Sequence, residues 1–236
     1  LLDAGDALLG SRAVPALAPG ASGAVAETLP LPDGSAGGAY YLFAAADGDG
    51  AIAETQESNN ARFGVIQIGA DLVVSALTVP ADAGAGLALA IADTTRNQGG
   101  GGAPGSTTTF LLSADATLDA GDVVLGSRAV ATLASDGIDS ASTTVTILAG
   151  TATGTYYVFA RADSGGVVPE TYENNNTMSR TVRVGPDLQV ASVTAPTSAG
   201  AGATIDLSDT TRNAGGGGAT ASTTRFFFST DPVLDA

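Results

Sequence analysis

The chain repeats itself at a fixed offset of 116 residues, and this repetition limits what it can fold into more than any other feature. Glu54 returns as Glu170, Glu57 as Glu173, Asn60 as Asn176 and Asp71 as Asp187. The segment from Leu2 to Val14 returns at Leu118 to Val130, and Tyr40-Tyr41 returns at Tyr156-Tyr157. The stretch from Asp93 through the glycines Gly99 to Gly102 returns from Asp209 with Gln98 replaced by Ala214. No insertion or deletion is needed to hold the register. A sequence that recurs without change of length is one structural module in tandem.

The phase of the repeat divides the chain into three units. Residues 1–69 read as the C-terminal part of one repeat, 70–185 as a complete repeat, and 186–236 as the N-terminal part of the next. Leu234-Asp235-Ala236 matches Leu2-Asp3-Ala4 two repeats earlier. The expectation is a window on a longer array, such as the repeating unit of a filament.

Within the complete unit, turn residues punctuate short runs of alternating hydrophobicity. Strands are expected over Asp71–Val79, Leu87–Asn97, Thr107–Ser113, Val123–Leu133, Thr143–Leu148, Thr155–Ala162 and Thr177–Val184. No segment sustains a helical period. Seven strands in about 115 residues give an all-β chain, a seven-stranded antiparallel β-sandwich of immunoglobulin type, repeated in tandem. Tyr156 stands where such folds place a tyrosine corner, its hydroxyl tied to a loop. Tyr156 to Phe159 and Arg225 to Phe228 look apolar on both faces. Two explanations stand, a local exception or an outer face packed on another module or chain.

Composition removes several functions. The net charge is −15, and the nine cations are all arginine. Nucleic acid and anionic membrane surfaces both require a basic footprint, so neither is expected as a partner. No run of about 18 apolar residues is present, so no membrane insertion is expected. Without Cys, His or Lys the chain has no disulfide, no imidazole or thiolate for nucleophilic catalysis, and no Schiff-base lysine. No enzyme is expected.

Four features together resemble a known family. They are the opening Pro186-Asp187-Leu188, the strand ending at Asn97 and Gly99, the acidic loop from Ser113 to Asp122, and the turn Glu170-x-x-Glu173-x-Asn175-Asn176. This set is similar to CARDB, the cell-adhesion-related domain of bacteria and archaea, over essentially the whole chain. The resemblance implies immunoglobulin-like modules in tandem on large exported proteins, hence an extracellular or cell-surface location in a bacterium or archaeon. It implies an adhesive or stalk role and no catalysis.

Two clusters could carry chemistry. The turns holding Glu54, Glu57 and Asn60, and Glu170, Glu173 and Asn176, offer hard oxygen ligands of the kind calcium gathers. The same residues are also turn-builders, since Asn tolerates left-handed backbone angles and Glu accepts backbone N–H bonds. The loop with Asp115, Asp119 and Asp122, matched by Asp3, Asp6, Asp231 and Asp235, has the same two readings. Strand order puts this loop and the glutamate turn at opposite ends of one sandwich, so stacking would bring unlike ends together. Calcium, if bound, is then expected near the junctions. Asp47-Gly48-Asp49-Gly50 begins like a calcium loop, but Ala51 and Ser58 break the ligand pattern, so it reads as a turn. The glycine runs lack the Lys and Ser/Thr of a phosphate loop and read as flexible turns or sites of close backbone approach.

The preferred reading is a structural segment of an extracellular filament or surface stalk whose partners are neighbouring copies of the repeat, in the same chain or in adjacent chains. The alternative is an adhesin that recognises a carbohydrate or protein through its loops. The stretch from Val167 to Val190 reads as the junction itself, a turn closing one sandwich and a strand handing on to the next.

Overall fold

The computed structural model describes residues 5–234, all in strands and loops. Twelve strands follow in order: β1 (Gly38–Ala45), β2 (Ala61–Ile68), β3 (Leu72–Thr78), β4 (Asp82–Ala83), β5 (Ala88–Asn97), β6 (Ser106–Ser113), β7 (Val123–Val130), β8 (Ile138–Thr146), β9 (Gly154–Arg161), β10 (Thr177–Val184), β11 (Leu188–Thr194) and β12 (Ser208–Asn213). The central unit is a two-layer sandwich. One sheet has the order β3-β5-β8 and the other β4-β10-β9-β6-β7. Among described residues, no helix is long and apolar enough to cross a membrane.

Period-2 alternation builds the core. On β5, Leu89, Ile91, Thr95 and Asn97 point inward while Ala88, Ala90 and Ala92 face out. They meet Phe110 and Leu112 from β6, Val158 and Ala160 from β9, and Val182 and Val184 from β10. Small inward residues hold this core to modest apolar area, at about 25 cal/mol per Å² buried. Polar bonds therefore carry part of the specificity. Inside the core, the hydroxyls of Thr95 and Thr108 bond across the sheets at 2.8 Å. Tyr156 donates its hydroxyl to Ala152 O at 3.1 Å, and Tyr40 repeats this with Ala36 O at 3.0 Å, the tyrosine corner in both copies.

Three local departures from the expected strands have physical causes. After β3 the chain crosses to the opposite sheet, where Asp82–Ala83 pairs in parallel with β10; the turn residues Pro80 to Gly84 hide this short strand. β7 stops at Val130, and Leu133 instead forms an isolated bridge with Ala103. β8 starts at Ile138 rather than Thr143 because its early inward position is Asp139, so no apolar alternation marks it.

The flanking units repeat the central geometry. The β1–β2 pairing, Gly38 opposite Ile68, matches Gly154 opposite Val184. The β11–β12 pair reproduces β3–β5 down to the bulge, between Val190 and Ser192 as between Val74 and Ala76. Positions matching β7 and β8 in the first unit, and β6 in the third, form no strand. The strands they would pair with have no counterpart within these residues, and a ladder needs both sides.

Candidate functional site at the module seam

β2 passes to β3, and β10 to β11, through a few residues centred on a glycine. Gly69 and Gly185 hold φ of 110° and 125°, which favours glycine. Each seam is then locked by the glycine run that follows the second strand of the entering unit. Gly101 N–H donates to Gly69 O at 2.8 Å, and Gly217 N–H to Gly185 O at 2.9 Å. A Cβ on Gly99 would fall 2.5 Å from Gly69 O, and one on Gly215 would fall 2.5 Å from Gly185 O. Close backbone approach is the use of these runs.

Asn97 organises the entrance. Its Oδ1 accepts from Asp71 N at 3.0 Å and Gly99 N at 3.1 Å, and its Nδ2 donates to Gly101 O at 2.7 Å. Asn213 repeats all three bonds with Asp187 N, Gly215 N and Gly217 O. An amide with one acceptor and one donor end is the side chain that can tie both strand and loop.

The glutamate turn packs on this entrance. Glu170 is buried and accepts from Leu72 N and Asn176 Nδ2. Ala70 bridges Glu170 in parallel, and Thr171 N donates to Ala70 O at 2.8 Å. Glu173 accepts from Glu170 N at 3.0 Å, as Glu57 does from Glu54 N at 2.9 Å. Asp71 accepts from Gln98 Nε2 and Asn175 Nδ2. Burial pushes the Glu170 carboxyl up to about 7, against its two hydrogen bonds, with help from the nearby charges of Glu173 and Asp163. The stretch from Val167 to Val190 is therefore not one junction. Its turn caps the seam before the module, β10 runs the module's length, and Gly185-Pro186 forms the seam after it.

Contacts cross both seams. Thr171 Oγ1 donates to Ile68 O at 3.0 Å, and Gln67 Nε2 to Tyr172 Oη at 2.8 Å. At the second seam Gly216 presses on β4, where a Cβ would lie 2.5 Å from Ala83 Cα.

The other expected ligands lie apart from this turn. Glu54 and Glu57 are exposed and Asn60 half-buried, because the first unit has no counterpart of Leu72 within these residues. The aspartate loop sits at the opposite end, beside Thr151 and Tyr156. There Asp115 accepts from Thr117 N, Asp119 from Gly121 N, and Asp122 from Asp119 N, all within 2.8 Å. Asp231 accepts from Val233 N at 2.9 Å. Asp3 and Asp235 lie outside the described residues. Among those described, no group of three or more Asp, Glu, His or Cys is placed to hold a metal.

The turn expected at Asp47 forms in both copies, and one further device escaped the sequence reading. Asp163, at φ 38°, caps its loop by accepting from Val167 N and Val168 N, and Asp47 does the same for Ala51 and Ile52. Arg128 crosses the sandwich to Asp93 at 2.7 Å and Asp139 at 2.9 Å. Recurrence of Asp47 as Asp163 and of Arg12 as Arg128 was the available signal for both.

A family model for CARDB matches residues 2–63 and 69–180. A crystal structure of the CARDB domain of a Pyrococcus furiosus protein, solved in complex with di-metal ions, shares 22% identity over 49% of this chain and 89% of that one, with a TM-score of 0.39. A solution structure of a Methanosarcina acetivorans domain, ascribed to a cell surface protein, shares 21% over 50% of this chain and 93% of that one, with a TM-score of 0.38. A Listeria innocua β-glucosidase in complex with glucose shares 15% over 51% of this chain and 16% of its own, with a TM-score of 0.34. No curated protein matches the chain.

Proposed function

The chain belongs to the CARDB family, with its domain repeated in tandem, and from that premise we propose that it is a structural segment of an extracellular stalk or filament. CARDB is a non-enzymatic, cell-surface-associated family, and it suggests an adhesion-related module. The observation that carries the finer reading is the seam. Consecutive units share no flexible linker, and the entering unit's glycine run locks the passage with the same bond twice, Gly101 to Gly69 and Gly217 to Gly185. A flexible linker would let modules swing, whereas hydrogen bonds and backbone packing across the seam hold them at a fixed angle. Fixed stacking is what a stalk or filament needs. The units 1–69, 70–185 and 186–236 are on this reading parts of three successive modules.

Negative-stain images of the native material test it. Ordered fibres or tubes with an axial repeat support the proposal, and isolated flexible strings overturn it.

We keep calcium as a separate proposal for the acidic turns, since a carboxylate that accepts one or two N–H bonds retains lone pairs for a cation. Calcium then raises the melting temperature and EDTA lowers it. A melt indifferent to both removes the metal from the account.

A further inference from the structure

The first and last segments of the complete central unit lie side by side and run in the same direction. At the entrance Ala70 bridges Glu170 in parallel. Towards the exit, Asp82 and Ala83 of β4 pair in parallel with Arg183 and Val184 of β10. β3 separates these two ties on the entering segment, and most of β10 separates them on the leaving one. Between the ties β3 faces β10 across the core, with Leu72 and Leu77 in the same cluster as Val182 and Val184. Every other strand pairing described in the central unit is antiparallel. The parallel contacts therefore fall only where the chain enters and leaves.

Each tie is made of several bonds. At the exit Arg183 N–H donates to Ala81 O at 2.8 Å and Gly185 N–H to Ala83 O at 3.0 Å. The Arg183 guanidinium grips Asp82 with two prongs, Nε to Oδ1 at 2.8 Å and Nη2 to Oδ2 at 3.1 Å. At the entrance Thr171 N–H donates to Ala70 O at 2.8 Å, and Leu72 N–H to the Glu170 carboxylate. A strand of two residues adds little apolar burial, yet the chain leaves the sheet of β3 to form β4. The Asp82–Arg183 pair is partly open to solvent and contributes little at rest.

Direction decides how such bonds fail under load. Tension along a tandem array enters this unit at Gly69 and leaves at Gly185. It draws the entering segment one way and the leaving segment the other. Parallel neighbours pulled in opposite directions slide, and the bonds between them are loaded together. An antiparallel hairpin pulled at its two free ends opens one bond at a time. The seam bonds Gly101 to Gly69 O and Gly217 to Gly185 O lie next to the two ties, so load passed between units arrives there.

We propose that β4 and the turn at Glu170 are a tension clamp, tying the entering segment to the leaving one in shear and setting the load the module withstands. The geometry is contained in the one complete unit. The filament reading supplies only the source of the tension.

Single-molecule force spectroscopy of the full chain, held at its two ends, tests the clamp. The central unit is recognised by the length it releases, at most about 3.6 Å for each residue. At constant tension R183P, which removes the N–H given to Ala81 O together with the ion pair, raises the unfolding rate about tenfold or more. V145A trims the core on β8, which pairs only with β5. It lowers the urea midpoint but leaves the rate under tension within about twofold, because contacts still intact when the clamp breaks do not change that barrier. If circular dichroism shows R183P unfolded, R183A takes its place; it keeps the N–H, loses the ion pair and raises the rate about threefold. A parental rate in the Arg183 variant overturns the clamp, as does an equal rise with V145A. Clamp behaviour in material showing no axial repeat removes the filament reading and leaves the clamp standing.

Discussion

Glu170 sits at the entrance of its module with its charge facing other charges. Its folded carboxyl titrates at about 7, above the ordinary 4.5, chiefly because burial disfavours the ionised form. Between those values the folded chain holds a proton that the unfolded chain releases. The contribution to stability is therefore complete below about pH 4.5 and is lost as pH rises through 7, by no more than about 3 kcal/mol. Asn176 Oδ1, buried without a partner, fits the same chemistry: with its amide turned over, it accepts from the protonated acid. Glu170→Gln mimics that state, so denaturant midpoints of the variant should be flat from pH 4.5 to 8 and exceed the parent's above pH 7. A variant less stable than the parent at pH 8 would show that the negative charge itself is required. The sequence made this residue visible as part of a turn with two readings. It could not name the partner, because Leu72 lies 98 residues upstream and only the closed sandwich brings them together.

Strand β8 shows where period-2 reading stops. The apolar alternation of Thr143 to Leu148 was legible, but Ile138 to Ser142 was not, because Asp139 fills a position where a hydrophobe would announce the strand. Asp139 is there for Arg128, which spans from β7 to β5 and β8 and ties the two sheets at that edge. Burial works against the Arg128 charge, yet the two carboxylates outweigh it and raise its pKa above the ordinary value. Removing one partner strands the other charges in the interior. Arg128→Ala should cost about 3–5 kcal/mol in urea denaturation of the central sandwich. Arg12 offers an internal control, since Gly23 stands where Asp139 does and, among the described residues, Arg12 reaches Gly23 O at 3.4 Å and no carboxylate. Arg12→Ala should leave the melt unchanged. Equal effects at both positions would mean that the ion triad contributes nothing beyond an exposed arginine.

At the scale of the whole molecule, the offset of 116 residues made the tandem sandwich and the linkerless passage legible, because strand pattern and repeat phase are both written locally. What holds one module against the next was not, since a glycine run looks the same whether it is flexible or pressed on a neighbour. The distinction lies in what a side chain would meet. At Gly216 a Cβ would lie 2.5 Å from Ala83 Cα, a backbone atom of the preceding module that cannot turn aside. At Gly218 a Cβ meets nothing within 4 Å. Gly216→Val should therefore open the second seam, because the clash falls on the backbone of Ala83 at the rim of the central core. Small-angle scattering of the full chain should show a changed pair-distance distribution for Gly216→Val and no change for Gly218→Ala, with Gly218→Ala keeping the parent's melting temperature. Identical scattering from the two variants would mean that the glycine contact does not set the angle between modules.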